Sequence, residues 1–264
     1  RIYGRNCANV TVKDLNLTHN FVGVFFYNVV NSTSEKNTSS YNYYGIYLLH
    51  STGNNSVLEN IVTYNENYSI LIQYSSSNQI SHNTIDHNGA GVALYNSNSN
   101  GALDNTLTFN TGGTGISISY SNNNNISNNT ADSNWHGIYL DHSSSNNVTN
   151  NTSTNNTHLG FALAYSGSNK LSKNKVCTNT YGDISTDGYS AGNSGFNNTC
   201  TNTQNWNDQG TTGCTYKCSG GSTSTLCITS SPEQFLSHPL EPPVPRLEVT
   251  PNTETQVFNP RTVD

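Results

Sequence analysis

One short unit recurs along this chain, and its fullest copy reads Trp135-His136-Gly137-Ile138-Tyr139-Leu140. The apolar residues of the unit alternate, so that Ile138 and Leu140 face one way and Tyr139 faces the other. The position of the glycine repeats every 22 to 24 residues, at Gly23, Gly45, Ser69, Gly91, Gly115, Gly137, Gly160 and Gly182. A fixed period of this length predicts a solenoid whose coils are built from short β-strands.

Asparagine follows the same period in two columns that stay five residues apart. The first column is Asn37, Asn60, Asn83, Asn105, Asn129, Asn151, Asn174 and Asn197, and the second is Asn42, Asn65, Asn88, Asn110, Asn134, Asn156, Asn179 and Asn202. Because parallel coils stack about 4.8 Å apart, each amide can donate to one neighbouring coil and accept from the other. Asn also tolerates the left-handed backbone of sharp corners. The two columns therefore predict structural ladders.

The composition agrees with a thin core. Asn, Ser and Thr make up 111 of the 264 residues, whereas only 32% are hydrophobic and 10% charged. Ten basic residues against sixteen acidic ones disfavour a nucleic-acid binder, and no apolar run is long enough to span a membrane. All seven prolines lie in 232–260. We predict an all-β, right-handed, single-stranded parallel β-helix of about nine coils in residues 1–218, followed by a non-repetitive Pro-rich arm in residues 219–264.

Several copies of the repeat resemble a known family. Examples are Asn78-Gln79-Ile80-Ser81-His82-Asn83, Asn125-Ile126-Ser127-Asn128-Asn129-Thr130 and Gly137-Ile138-Tyr139-Leu140-Asp141-His142. They are similar to the NosD-like and carbohydrate-binding/sugar-hydrolase (CASH) type of right-handed β-helix repeat, over residues 6 to about 218. The resemblance implies a prokaryotic surface protein, with an archaeal source expected. The group includes periplasmic proteins of copper-site maturation, adhesins and envelope proteins, so the resemblance implies the fold more than the function.

Six cysteines without a paired CxxC motif predict disulfides in an oxidising compartment. Cys177 and Cys200 are 23 residues apart, and we expect adjacent coils to bring them into bonding distance. Cys214 and Cys218 would staple a closing turn, with a C-x3-C metal site as the alternative. Cys7 and Cys227 lie near opposite ends, so we expect any bond between them to link subunits. No cofactor is expected.

Glycosylation sequons of the form N-x-S/T are abundant. They begin at Asn9, Asn16, Asn31, Asn37, Asn54, Asn67, Asn125, Asn128, Asn147, Asn150, Asn151, Asn155 and Asn197. Together with the cysteines, they predict a secreted or cell-surface glycoprotein.

Two columns contain the acidic residues that an enzyme of this shape would need. Glu59, His82 and Asp104 share one column, and Asp86 and Asp132 share another two coils apart. The alternative for both columns is a solvated corner. The chain has no Arg between residues 6 and 245, so a lyase that uses Arg has no candidate. The sequence therefore predicts that the protein is not an enzyme.

Aromatic residues also recur in register. His19, Tyr41, Tyr64, His87 and Phe109 share one column, and His50, Tyr74, Tyr120, His142 and Tyr165 share another. Candidates for stacking on sugar rings are Tyr47, Tyr139, Tyr74, Tyr120 and Tyr165, and the alternative is a packed aromatic ladder. His50 and His142 are four coils apart, about 19 Å by the strand spacing, which is too far to share a metal ion.

Two functional hypotheses follow. In the first, copies of the glycosylated solenoid stack head to tail into a non-catalytic filament or sheath at the cell surface. In the second, an aromatic groove binds or processes a surface polysaccharide. The sequence favours the first, because it shows no convergent acid and base groups.

Overall fold

The structure is a computed structural model that describes residues 1–219. The predicted arm from residue 219 onward, and with it Cys227, therefore lies outside the described residues, apart from residue 219 itself. Within the described range all regular elements are β-strands, and no helix is present that could cross a membrane. The predicted all-β solenoid of about nine coils is confirmed.

Three parallel sheets run along the solenoid, and each full coil adds one strand to each sheet. The long sheet contains, within residues 1–219, β1 (Ile2–Arg5), β4 (Val22–Tyr27), β7 (Tyr44–Leu49), β10 (Tyr68–Gln73), β13 (Ala90–Tyr95), β16 (Ile116–Ser119), β19 (Ile138–Asp141), β22 (Leu159–Ala164), β25 (Gly182–Thr186) and β27 (Thr203–Gln204). The second sheet contains β2 (Thr11–Lys13), β5 (Thr33–Glu35), β8 (Ser56–Leu58), β11 (Gln79–Ser81), β14 (Gly101–Leu103), β17 (Asn125–Ser127), β20 (Asn147–Thr149), β23 (Lys170–Ser172) and β26 (Ser194–Phe196). The third sheet contains β3 (Asn16–Thr18), β6 (Thr38–Ser40), β9 (Ile61–Thr63), β12 (Thr84–Asp86), β15 (Thr106–Thr108), β18 (Thr130–Asp132), β21 (Thr152–Thr154) and β24 (Lys175–Cys177).

The interior is a narrow column of stacked aliphatic side chains. Ile138, for example, lies between Ile116 and Phe161 of the neighbouring coils, and all three are essentially buried. The recurring glycines are needed because the backbone there packs closely. A Cβ atom on Gly91 would lie 2.1 Å from the carbonyl oxygen of Gly115, so no larger residue fits without a shift. Close approach of the neighbouring coil, and not a positive φ, therefore explains the glycine at this position.

The Asn ladders form as predicted over most of the chain. In the first ladder, the backbone N–H and the side-chain Nδ2 of Asn83 both donate to Oδ1 of Asn105, at 3.0 and 2.9 Å. Nδ2 of Asn83 also donates to the carbonyl oxygen of Val57 at 2.9 Å. The second ladder repeats this arrangement from Asn42 to Asn179. Each amide thus satisfies buried groups of its own coil and of both neighbours.

The predicted ladders are wrong at their last members. Asn198, not Asn197, accepts from Asn174, because the final coil is one residue longer than the preceding one. The second ladder ends at Asp183, whose Oδ1 accepts from Asn179 and whose Oδ2 accepts from the backbone N–H of Asn202. Asn202 is therefore not a ladder residue.

The same one-residue offset affects the glycine column. Phe161 pairs with Ile184, so Asp183 rather than Gly182 lies opposite Gly160. Sequence spacing alone could not place this shift, because both residues fit the 22-to-24-residue period.

The structure contains two further ladders that were not predicted. A third Asn ladder precedes the second sheet, and a Ser ladder follows the long sheet. Their members are Asn55, Asn78, Asn100, Asn124, Asn146, Asn169 and Asn193, and Ser51, Ser75, Ser97, Ser121, Ser143, Ser166 and Ser190. Both follow the same period, so a complete column alignment would have found them.

Two disulfides close the C-terminal coils, with a pairing that differs from the prediction. Cys177 bonds to Cys218 and Cys200 bonds to Cys214, with Cα–Cα distances of 5.9 and 5.5 Å. The extra residue of the last coil places Cys200 level with Val176, in the interior, and so out of line with Cys177. Cys7 is a free thiol. Its bond to Cys227 stays a prediction.

Candidate functional site

The predicted column of acidic and histidine residues does not form a catalytic cluster. Glu59, His82 and Asp104 lie at corners after successive strands of the second sheet. Lys36 Nζ lies 3.7 Å from Glu59 Oε2, and His82 Nε2 lies 3.9 Å from Asp104 Oδ2. These side chains are 40 to 58% exposed, so the contacts are solvated surface pairs.

Asp86 and Asp132 lie on the third sheet and are held by the coils that follow. Oδ1 of Asp86 accepts from Thr108 Oγ1 at 2.6 Å. Oδ1 of Asp132 accepts from Thr154 Oγ1 at 2.5 Å and from Asn155 Nδ2 at 2.8 Å. These bonds connect coils and explain both residues structurally.

The sequons divide into two groups. Asn37 and Asn151 are 1% exposed and belong to the first ladder, so the folded chain cannot present them for glycosylation and that prediction is wrong for these two. The other eleven are exposed or half-buried, and their glycosylation stays a prediction.

The aromatic columns form stacked ladders along the solenoid. Ring centroids are 5.1 to 5.6 Å apart in the first column, and 4.7 to 5.0 Å apart from Tyr120 through His142 and Tyr165 to Tyr189 in the second. His50 and Tyr74 form a separate pair at 5.2 Å. Both faces of Tyr165 are covered, so only its edge is open to a ligand.

The predicted sugar-stacking residues therefore differ in access. Tyr74 and Tyr120 are 44 and 47% exposed, and each has one face covered by a histidine of its ladder. Tyr47 and Tyr139, on the outer side of the long sheet, are only 3 and 8% exposed. Stacking of a sugar ring on these two is not available in this structure.

The outer side of β19, together with the residues that flank this strand, carries aromatic, histidine and acidic side chains within a single coil. Trp135, His136, Tyr139, Asp141 and His142 all lie on that side, whereas Ile138 and Leu140 are buried in the interior column. We call these five residues the β19 outer site. Strand alternation and the bend at Gly137 bring them onto one face.

One rim of the site is a short ladder of mixed rings. His158 stacks on Trp135 at 5.0 Å and contacts Tyr181 at 4.6 Å, and its ring meets that of His136 edge to face at 4.7 Å. Nδ1 of His158 is buried, and it has no hydrogen-bond partner among the described residues. Nδ1 of His136 accepts from the backbone N–H of Leu159 at 3.3 Å, so the proton of the neutral ring lies on Nε2.

Both histidines of this rim are held neutral. Burial, together with the neighbouring His158, lowers the pKa of His136 to about 3. Burial also lowers the pKa of His158. At neutral pH each ring therefore has one N–H donor and one nitrogen acceptor, and the acceptor of His136 is already used by Leu159.

The other rim carries the carboxylates. His142 Nδ1 lies 2.8 Å from Asp141 Oδ1. Asp187 lies two coils beyond Asp141 in the same outward row, because Thr186 pairs with Leu163 and the next residue is level with Ala164. Its carboxylate accepts from the backbone N–H groups of Tyr165 and Tyr189, at 2.8 and 3.0 Å.

Tyr139 lies between the two rims. Its ring is 5.6 Å from that of His136. Burial raises its pKa, and the nearby carboxylates of Asp141 and Asp187 raise it further. The phenol therefore stays protonated. A neutral imidazole, a phenol and an aspartate–histidine pair on one face can bind hydroxyl groups, and they are the group types that general acid–base chemistry uses.

The repeat pattern did not indicate this site, because its residues come together within one coil and not between coils. Tyr139 was predicted only as a sugar-stacking residue and His142 only as a member of an aromatic column, and nothing in the pattern indicated Trp135, His136 or Asp141. The available signal was that the outward positions from Trp135 to His142 carry only aromatic, histidine or acidic residues.

Comparison with known proteins identifies the family. The family model described as periplasmic copper-binding protein (NosD) matches residues 1–130 and 103–230. The chain belongs to the NosD family. The overlap of the two matches reflects the repeats. Among curated proteins, none matches the sequence of this NosD-family chain.

Solved structures similar to this NosD-family chain include several enzymes. A mutant of the periplasmic alginate epimerase AlgG superposes with a TM-score of 0.65 and 21% identity over 71% of this chain and 50% of that one. The mannuronan C-5 epimerase AlgE4 A-module of Azotobacter vinelandii gives 0.58 and 13%, over 83% and 76% of the two chains. DFA-IIIase of Arthrobacter chlorophenolicus A6 gives 0.58 and 15%, over 72% and 54%. This chain thus spans about half the length of the alginate epimerase and of DFA-IIIase.

These comparisons correct one prediction. The absence of arginine led to the prediction that the protein is not an enzyme. That prediction is wrong, because the solved structures that share its scaffold include epimerases and a DFA-IIIase. At these identities the likeness shows the fold alone.

The family description names copper binding, but the described residues do not form a copper site. Within residues 1–219 no three or more His, Cys, Asp or Glu side chains gather closely enough to hold a metal ion. The chain has no Met, the soft thioether ligand of copper sites. Nδ1 of His136 is already used by the backbone of Leu159.

Proposed function

We propose that this NosD-family β-helix is an extracytoplasmic protein that binds a carbohydrate at the β19 outer site. The location is supported by the two disulfides and by the description of the family as periplasmic. The ligand class is supported by the similar structures, which include epimerases named for alginate and mannuronan.

The observation that carries the proposal is the composition of one outward face. Sugar rings offer hydroxyl groups and weakly apolar C–H faces, so their sites combine aromatic side chains with donors and acceptors. The β19 outer site supplies the indole of Trp135, which is 39% exposed, at one rim, and the imidazole of His142, whose side chain is 44% exposed, at the other. Asp141 adds acceptor oxygens beside that ring.

Head-to-tail stacking has less support from the structure. The first ladder ends at Asp208, whose carboxylate accepts from Asn198, Trp206 and Thr215. A carboxylate accepts but does not donate, so it cannot pass the ladder on to another coil. The closing segment also pairs through Tyr216 with Thr199 and is held by both disulfides. Copies of the chain as its partner stay a prediction.

The chain contains a matched pair of residues that can test the site. His142 and His87 both have left-handed backbone, both bond through Nδ1 to the preceding aspartate, and both stack between two aromatic rings. Their side chains are 44 and 46% exposed. Only His142 belongs to the proposed site.

We expect His142→Ala to weaken binding of the best ligand in a panel of soluble polysaccharides by about tenfold or more, which corresponds to about 1.4 kcal/mol. His87→Ala should leave that affinity unchanged. Affinity electrophoresis and calorimetric titration of the wild type and both variants measure this. Equal losses in both variants would place the site elsewhere, and a wild type that binds no polysaccharide would overturn the proposal.

A further inference from the structure

We infer that the β19 outer site is selective for glycans without carboxylates, that is, uncharged or amino sugars, and that Asp141 and Asp187 set this selectivity. The inference rests on the proposed carbohydrate binding and narrows its ligand class. It also separates this protein from the epimerases that share its scaffold and are named for alginate and mannuronan, which are polymers of uronic acids.

With His142 counted as neutral, the described side chains of this face carry only negative charge. Asp141 and Asp187 occupy one outward row two coils apart, about 10 Å by the strand spacing, with only Ala164 between them. The side chain of Asp141 is 16% exposed, so its charge is only partly screened by water. A sugar carboxylate bound beside Tyr139 would meet both carboxylates.

No arginine or lysine of this part of the chain lies beside these carboxylates, and the basic group that contacts them is His142, whose Nδ1 is 2.8 Å from Asp141 Oδ1. From residue 114 to 187 the chain has no Arg, and its three lysines are Lys170 in β23, Lys173 at the corner after that strand and Lys175 in β24. These belong to the second and third sheets, away from the outer side of the long sheet. The two histidines of the opposite rim are neutral because burial lowers the pKa of each.

The hydrogen bonds of Asp187 support its role as a fixed charge. Besides the two backbone donors, its Oδ1 accepts from Ser190 Oγ at 2.6 Å. All three donors stabilise the ionised carboxylate in place. Burial raises the pKa of Tyr139, and the carboxylates of Asp141 and Asp187 add to that rise, as two nearby negative charges should. Repulsion between these carboxylates and a sugar carboxylate would weaken the binding of acidic sugars. Specificity is often set by such unfavourable contacts with the wrong ligand.

The test uses sugars that differ only in the carboxylate. Calorimetric titration would compare oligosaccharides of β-1,4-linked mannose with those of β-1,4-linked mannuronate, and the glucose with the glucuronate series, together with partly deacetylated chitin oligosaccharides. In each pair that binds, we expect the uronate to bind at least about tenfold more weakly. Asp141→Asn should reduce that ratio to about threefold, and Asp86→Asn, which changes a matched aspartate on the third sheet, should not.

Salt provides an independent measurement on the unmodified protein. Because repulsion between charges is screened by ions, raising NaCl from about 0.05 to about 0.5 M should strengthen uronate binding and leave uncharged sugars unaffected. Uronates that bind the wild type as tightly as their uncharged partners would overturn the inference while leaving carbohydrate binding intact. If no member of either series binds, the proposed function itself fails.

Discussion

The outer side of the long sheet differs between its first and second halves, although the strands beneath are built alike. In the first half, Phe25, Tyr47, Leu71 and Ala93 form a second hydrophobic cluster with Tyr44 and other neighbours. The same rows of the second half carry Ser117, His136, Tyr139, Asp141 and Asp187. The inward columns continue through both halves without change.

This difference separates what specifies the fold from what specifies the site. Inward positions must stack on copies of themselves, so their identities repeat. Outward positions have no such requirement, so one half can use them for packing and the other for polar groups. Variants in matched positions of the two halves can test whether the division is real.

The largest effect is expected where the halves should behave alike, in the first Asn ladder. Asn83 and Asn129 lie in the first and second halves and make the same set of bonds, each donating to a carbonyl oxygen and to the next Asn while accepting from the previous one. Asn83→Ala and Asn129→Ala each leave several buried groups unpaired, so each should lower the free energy of unfolding by about 3 to 5 kcal/mol.

Chemical denaturation measures this prediction, with the exposed Asn125→Ala as the control, which should change stability by less than about 0.5 kcal/mol. A large loss in one half and a small loss in the other would contradict the view that the interior treats the halves equally.

The inward positions are alike in both halves, and this repetition is also the reason that the fold could be predicted from the sequence. Gly45 and Gly137, Ile46 and Ile138, and the Asn columns repeat because each coil supports the next. The prediction failed where the repeat ends: one extra residue moved Asn198 into the ladder in place of Asn197, and the same shift changed the partner of Cys177.

The site could not be predicted in the same way, because two of its residues, His136 and Asp141, do not repeat. His136 has Thr114 and Leu159 in the same row of the neighbouring coils, and Asp141 has Ser119 and Ala164. A column that changes at every coil gives no periodic signal. Only the outward direction of each residue, which depends on the exact strand register, shows that these side chains share a face.

The next effect should occur in the second half alone and depends on pH. The pKa of His136 in the folded chain is lowered to about 3, below the ordinary value of 6.5. As the pH falls below about 6.5, His136 becomes protonated in the unfolded chain but stays neutral in the folded chain. Stability is therefore fully present above that value and is lost toward pH 3, with a slope that approaches about 1.4 kcal/mol per pH unit.

Denaturation at a series of pH values between 7 and 4 measures this slope. His136→Gln should reduce it, because glutamine keeps polar groups but does not titrate. His50→Gln, at an exposed corner of the first half, should leave it unchanged. If His136→Gln and the wild type lose stability in parallel, the buried imidazole is not the group responsible.

The smallest effect distinguishes packing from binding within a single row. The Tyr47 hydroxyl donates to Oε1 of Gln73 in the first half, whereas Tyr139 faces the polar groups of the β19 outer site in the second. Tyr47→Phe should cost about 1 kcal/mol of stability, because it leaves the buried Gln73 oxygen without its donor, and should not change glycan affinity. Tyr139→Phe should change the free energy of unfolding by less than about 0.5 kcal/mol but weaken glycan binding several-fold.

Denaturation would compare the stability of the two variants, and titration with the glycan would compare their affinity. Two variants that behave identically in both measurements would mean that the row serves one purpose along its whole length.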